Sequence, residues 1–401
     1  MQEFIQPSLF NVQFMRTLGH TTYQGAEIGE CFAILNNIEK GNQNSWYEQW
    51  FSFAEKNALR AKDYSKKNLN FDAKMAFLRA SNYYRTSFFF LEDEPEDERI
   101  EGALKASIDA FHNALDLFDT PVEKVLIPYR SDLALPGYLY LNTSSPMKEK
   151  PILIDTGGGD GTKEESYFGT AAEALKRGFH CLCFEGPGQG SVLRLQKIPF
   201  IPEWEQVIEK VIDFVIKRPE VDKNNIILMG RSFGGYLAAR AVTKEKRIRA
   251  CIVDPGIFES SSSIEEKVKS LVDKKFPALK DVPLSQALEH LMNEDENMRF
   301  MLASRKWRFG AQTIEEMLNA TKAYTLQGIV KQIQCSMLVC DNTQEYITYG
   351  QAKKLYDELQ CKKHYILFNS EEGTGGHCEP LAPRLFNAAI YNWLKSELTI
   401  K

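Results

Sequence analysis

A serine set between glycines, a histidine in a glycine-rich loop and two neighbouring carboxylates are the side chains whose types and spacing could do chemistry in this chain. Gly230-Arg231-Ser232-Phe233-Gly234 fits the pattern GxSxG, preceded by the apolar run Ile226 to Met229 and followed by an Ala-rich helix former up to Val242. A strand, a tight turn and a helix in that order lift a serine hydroxyl above a sheet edge, and small residues two before and two after let the backbone fold around it. The hydroxyl is a weak nucleophile at neutral pH, so Ser232 needs a base. His377, in the loop Glu371 to Glu379 just past the last predicted strand, is the candidate. His364 belongs to a strand start, His290 to a polar helical stretch, and His20, His112 and His180 precede the serine; these five are read as structural.

A histidine acting as base is oriented by a carboxylate on its other nitrogen. The loop after Cys340 offers Asp341 and Glu345, and position alone leaves both open, although Asp341 stands close to the strand end. Negative charge developing on a substrate oxygen needs two backbone N–H donors. Phe233, next after the serine, should supply one, and the run Gly157-Gly158-Gly159, through Gly158 or Gly159, the other. A phosphate loop is the competing reading of that run, but no Gly-Lys-Ser/Thr follows it. No cofactor and no metal are expected.

The elements that must position these groups follow in order. Helical periodicity runs from about Trp46 to Phe118, with an acidic loop at Glu92 to Glu98 read as solvated surface, and an aromatic set (Tyr83, Tyr84, Phe88, Phe89, Phe90) read as core or interface. At Pro121 the character changes. Short β-type segments, 123–128 and 138–141, are separated by turn residues including Pro136-Gly137. Strands at 151–155, 179–184, 226–229, 250–253, 336–340 and 364–368 then alternate with helices at 164–177, 203–217, 350–359 and 383–398, which predicts a mainly parallel sheet covered on both faces. The stretch 260–332 breaks the rhythm and reads as a helical lid inserted over the carboxyl edge of the sheet. The expectation is an α/β-hydrolase fold, with residues 1–120 as a helical N-terminal region that packs over the mouth of the site, over the insertion or against a second subunit, and 121–401 as the catalytic domain carrying the lid.

Several motifs in fixed order carry a closer resemblance: GGGDGTKEES from Gly157, FEGPGQG from Phe184, GRSFGGYLAAR around Ser232, VCDNTQEYITYGQAKKLYDEL, and EEGTGGHCEP around His377. With them the chain resembles the α/β-hydrolases that include the pseudooxynicotine hydrolases and the polyketide-shortening hydrolases of pigment and anthraquinone pathways. That resemblance implies a helical N-terminal extension that caps the site and contributes to a homodimer, and hydrolysis of a carbon–carbon bond next to a carbonyl. It also favours Glu345 as the acid, at a position where the group usually carries aspartate.

Composition narrows the field. A net charge of −5 on 401 residues provides no basic footprint for nucleic acid or anionic membrane, so a small-molecule substrate is favoured. No apolar run approaches a membrane span, and the N-terminus has no basic start followed by an apolar core, so a cytoplasmic location is expected. Eight cysteines without CxxC pairing read as reduced core thiols. The competing functions are ester or amide hydrolysis by the same residues, and a non-catalytic binding protein on the same fold; the complete set of serine, histidine, acid and glycine loop argues against the latter.

Overall fold

The computed structural model describes residues 3–143, 148–261, 279 and 281–398. Helices come first: α1 Ser8–Gly19, α2 Ile28–Leu35, α3 Gln43–Lys66, α4 Asn70–Ser87 and α5 Glu98–Leu115. α3 starts where the Asn42 side chain accepts from the Ser45 N–H, and α5 where Asp97 accepts from the Arg99 N–H. Trp46, Trp50, Ala54, Asn57 and Ala61 recur at helical spacing and bury one face of α3. Around Trp46 gather Phe10, Trp50 and Phe90, with ring centroids 4.9 to 5.7 Å away. Each such buried aromatic contributes on the order of 1.5–3 kcal/mol. The aromatic set of α4 and its C-terminal turn is therefore core.

Eight strands then form one sheet, β1 Val122–Arg130, β2 Leu133–Tyr140, β3 Lys150–Thr156, β4 His180–Phe184, β5 Val221–Arg231, β6 Ala250–Asp254, β7 Ser336–Asn342 and β8 Lys363–Phe368, in the order β1-β2-β4-β3-β5-β6-β7-β8. β1 and β2 form a hairpin and β2 runs antiparallel to β4; every later pairing is parallel. Pro136-Gly137, expected between two strands, lies inside β2 instead. Glycine is needed there because a β-carbon would meet the Cys183 carbonyl of β4 at 2.9 Å.

Both faces of the central strands are apolar, as buried parallel strands require. Ile152, Ile154, Ile226 and Leu228 face a core with Trp204 and Val207 of one helix and Tyr236 and Leu237 of another. Leu153, Ile227 and Met229 face the opposite core, which takes Phe386 and Ile390 from the helix Pro383–Glu397 and Phe77, Leu78 and Phe111 from α4 and α5. The N-terminal helices thus cover part of one sheet face directly. The expected helix 164–177 widens into a π turn at Tyr167–Ala171 before closing as α-helix.

The stretch expected as a lid is pinched at its neck, where Ser260 N–H donates to the Tyr324 carbonyl and Leu326 N–H to the Phe258 carbonyl. Helices Leu284–Glu294, Glu296–Arg308 and Ile314–Lys322 pack together through Leu288, Leu291, Leu302 and Met317. Residues 262–278 and 280 of the expected 260–332 insertion lie outside the described residues. Phe300 of these helices rests against Phe89 and Phe90 at 5.2 and 5.1 Å.

One acid of the loop expected to be solvated is fully buried. Glu92 accepts from Arg194 of the sheet domain through one carboxylate oxygen and from Arg308 of the inserted helices through the other. Burial alone would raise its pKa, but the two guanidiniums hold it below the ordinary carboxylate range. The run reads as surface because Glu94 and Glu96 are exposed; the partners that draw Glu92 inside lie 102 and 216 residues away.

Candidate active site

Ser232 stands between the end of β5 and the helix Phe233–Ala241 with φ 54° and ψ −128°, a conformation that costs a non-glycine residue about 1–3 kcal/mol. Neighbouring groups hold it there: Ser232 N–H donates to the Asp254 carbonyl at 2.7 Å, and its own carbonyl accepts from Gly235 N–H at 2.8 Å. The flanking glycines are sterically required. A β-carbon on Gly230 would sit 1.9 Å from the Gly234 carbonyl oxygen, and one on Gly234 would sit 2.5 Å from that of Thr156.

The loop after β8 returns over this turn through Gly373, Gly375 and Gly376, all at positive φ, and carries His377 to it. His377 Nε2 is 2.9 Å from Ser232 Oγ, and Nδ1 is 2.7 Å from Glu345 Oε2. The other oxygen of Glu345 accepts from the N–H groups of Ile347 and Thr348, so its orientation is fixed. Burial would raise the Glu345 pKa, but the imidazole and these donors bring it down to about 2. Burial would lower that of His377, and the Glu345 carboxylate overcomes it to raise the imidazole above its ordinary value. Asp341, the alternative acid, faces elsewhere. Its carboxylate accepts from the Tyr365 hydroxyl at 2.7 Å and from Asn342 N–H at 2.8 Å, leaving the place beside His377 to Glu345.

The glycine run lies against the serine turn. A β-carbon on Gly158 would come 3.1 Å from Ser232 Cβ and 3.7 Å from its Oγ, and one on Gly159 would come 3.7 Å from Phe233 Cβ. Phe233 opens its helix, where the first N–H groups have no intrahelical acceptor. Ser232, His377 and Gly158 border a cavity of about 210 Å³ whose far wall is α1, through Val12, Gln13 and Arg16.

Sequence reasoning missed several polar groups around this cavity. Arg16 reaches from α1 to both oxygens of Glu165 and to Asp160 at 2.6 Å, tying the N-terminal helices to the GGGDGTKEE segment. Its charge partners were visible in that motif, but the arginine was not. His20, read as structural, also lines the cavity and stacks on Phe168 at 5.4 Å; burial lowers its pKa to about 4. Beneath the site, Asp254 and Glu379 are two buried carboxyls facing one another. Burial pushes Asp254 up to about 6 against the pull of Arg231 3.9 Å away, and burial together with the neighbouring Asp254 raises Glu379 well above the ordinary carboxylate range.

The model of an alpha/beta hydrolase family matches residues 156–389, more than half of the chain and all three of Ser232, Glu345 and His377. The chain belongs to the alpha/beta hydrolase family. Within it the chain is similar over its whole length to the 20-hydroxy-prefusarin hydrolase FUS2 of Gibberella moniliformis, 33% identical with 100% of this chain and 99% of the relative covered. It is also similar to the hydrolase LUC6 of a Fusarium species, 32% identical with the same coverage. The crystal structure of the 2,6-dihydroxy-pseudo-oxynicotine hydrolase superposes with a TM-score of 0.75 over 95% of this chain and 96% of that one, at 19% identity, and so shares the fold, N-terminal helices included.

Proposed function

We propose that this hydrolase is serine-dependent and cleaves a carbon–carbon bond next to a carbonyl in a β-dicarbonyl or polyketide-like small molecule. The single observation that carries the reading is the hydrogen-bonded line Glu345–His377–Ser232 opening into the cavity under α1. Ser232 Oγ attacks the ketone carbon while His377 Nε2 takes its proton, and Glu345 holds the imidazole in the tautomer whose Nε2 is free. The N–H groups of Phe233 and of Gly158 or Gly159 stabilise the alkoxide. Collapse breaks the bond to the α-carbon, the leaving enolate carbon takes the proton from His377, and a water deprotonated by His377 releases the acyl group from Ser232 as a carboxylic acid.

The choice of bond follows the motif resemblance, and the relative named for 20-hydroxy-prefusarin supports a small-molecule substrate. The same groups would hydrolyse an ester or amide. In this reading residues 1–120 cap the cavity, supported by the α1 residues that line it, and the inserted helices form the lid. The enzyme works as a cytoplasmic homodimer; Ile28 and Phe32 of α2, 56% and 36% exposed, suit a subunit contact. No described helix is long and apolar enough to cross a membrane.

The test is a panel of β-diketones and aryl esters in H₂¹⁸O with products followed by mass spectrometry. The expected result is one ketone and one ¹⁸O-labelled acid per diketone consumed. Turnover of aryl esters with every diketone inert would replace this reading with an esterase, and no turnover of either would favour a binding protein.

A further inference from the structure

The motif FEGPGQG has no part in the chemistry above, yet its glutamine is 1% exposed and points at the glycine loop. Gln189 Nε2 donates to the carbonyls of Gly157 at 2.6 Å and Gly158 at 3.3 Å, while Oε1 accepts from Gly186 N–H at 3.0 Å. Its own backbone is anchored. The Glu185 carboxylate beside it takes up the N–H groups of Lys163 and Ser191 and the Ser191 hydroxyl, and Gly188 N–H donates to the Ile198 carbonyl at 2.8 Å. At the other end of the loop Trp204 Nε1 holds the Thr156 hydroxyl at 3.1 Å.

In a trans peptide the C=O of one residue and the N–H of the next point in opposite directions. The links after Gly157 and Gly158 are both trans. Holding these two carbonyls on Gln189 therefore fixes the direction of the N–H groups of Gly158 and Gly159, in a loop so close to the serine turn that a β-carbon on Gly158 would come 3.1 Å from Ser232 Cβ and one on Gly159 3.7 Å from Phe233 Cβ. We infer that Gln189 is the positioning residue of the oxyanion hole: one carboxamide sets two peptide planes, so that the glycine N–H groups are aimed before substrate arrives. The inference rests on the serine chemistry proposed above. Preorganised donors count because they are not reorientated during the reaction, and removing one typically costs about 10²- to 10³-fold in kcat. Losing the device that aims them should cost somewhat less.

The variants are Gln189→Met, which keeps length and removes both hydrogen-bonding ends, and Gln189→Glu, which keeps the acceptor for Gly186 and replaces the donor with an oxygen that repels both carbonyls. Each is compared with wild type for kcat and KM on p-nitrophenyl acetate, and for inhibition by a trifluoromethyl ketone, whose serine adduct carries the oxyanion, against the matching methyl ketone. The expected result is kcat lower by about 10- to 100-fold with KM within about twofold, and a trifluoromethyl ketone inhibition constant raised by the same factor while that of the methyl ketone is unchanged. A folded variant with wild-type kcat and trifluoromethyl ketone affinity would overturn the inference, as would equal weakening of both ketones, which marks a merely structural role. Should Gln189→Met fail to fold, the same ratios on Gln189→Glu decide. The parent reading fails separately, through a wild-type enzyme whose Ser232 does not react with a fluorophosphonate.

Discussion

Replacing Glu345 by glutamine changes one atom and should nearly abolish turnover, for a reason that can be worked through the hydrogen bonds. Oε1 of Glu345 accepts from Ile347 and Thr348 N–H at 2.7 and 3.0 Å, and Oε2 faces His377 Nδ1 at 2.7 Å. A glutamine must keep its oxygen on the two backbone donors. Turned the other way, its NH₂ would face both and leave two buried donors without an acceptor, at about 1–3 kcal/mol each. The NH₂ therefore lies against Nδ1, and the imidazole must carry its proton on Nε2, pointing at Ser232 Oγ. In that tautomer His377 cannot accept the serine proton. A wrong tautomer of this kind costs about 10⁴ in kcat, on the order of 5.5 kcal/mol. Asp341→Asn touches only the Tyr365 hydroxyl and a backbone N–H, so a change of a few-fold at most is expected. Steady-state kinetics on p-nitrophenyl acetate compare the two. A Glu345→Gln enzyme within tenfold of wild type, or an Asp341→Asn enzyme impaired more than it, would refute the reasoning.

Glu92→Gln leaves the fully buried Arg194 and the neighbouring Arg308 without their anion, and breaking a buried pair of this kind costs about 3–5 kcal/mol, so the urea unfolding midpoint should fall clearly; an unchanged midpoint would deny the contact any role in stability. Because the base must be neutral and the His377 pKa is raised above 6.5 by Glu345, kcat/KM should fall as pH drops through a midpoint above that value, while Glu345, with its pKa of about 2, stays ionised; a midpoint below 6.5 in the pH–rate profile would contradict the pairing. Gly158→Ala puts a methyl 3.0 Å from the Arg231 carbonyl and 3.1 Å from Ser232 Cβ, so the loop must shift and kcat should drop at least about tenfold with the fold retained by circular dichroism; undiminished kcat would remove this glycine from the site.

What the sequence made legible was whatever is local. The strand–turn–helix around Ser232 is written in the one stretch from Asn225 to Val242 because steric demand at the turn falls on its immediate neighbours, Gly230 and Gly234. The strands of the sheet were readable as apolar runs, and the regular helices came within a few residues of their bounds. Glu345 and Asp341 are four residues apart in one loop, and no local rule separates them; the choice is made by the Ile347 and Thr348 N–H groups and by Tyr365 of the next strand. Arg16, Glu92 and Gln189 stayed hidden for a related reason. Each is an ordinary polar residue whose partners lie far off in sequence, at Glu165, at Arg308 and at Gly157, and only the folded chain brings them into contact. The helices before α3 escaped the periodicity reading because α1 and α2 are short, 12 and 8 residues.

If Ser232 carries the acyl half of a cleaved ketone, acid quenching the enzyme during turnover of a β-diketone and measuring the mass of the intact chain and its peptides will trap it. An adduct equal in mass to the acyl fragment is expected on the peptide containing Ser232, absent in Ser232→Ala and accumulating in a variant whose deacylation is slowed. Turnover of the diketone at an undiminished rate by Ser232→Ala, or an adduct mapped to any other residue, would contradict it.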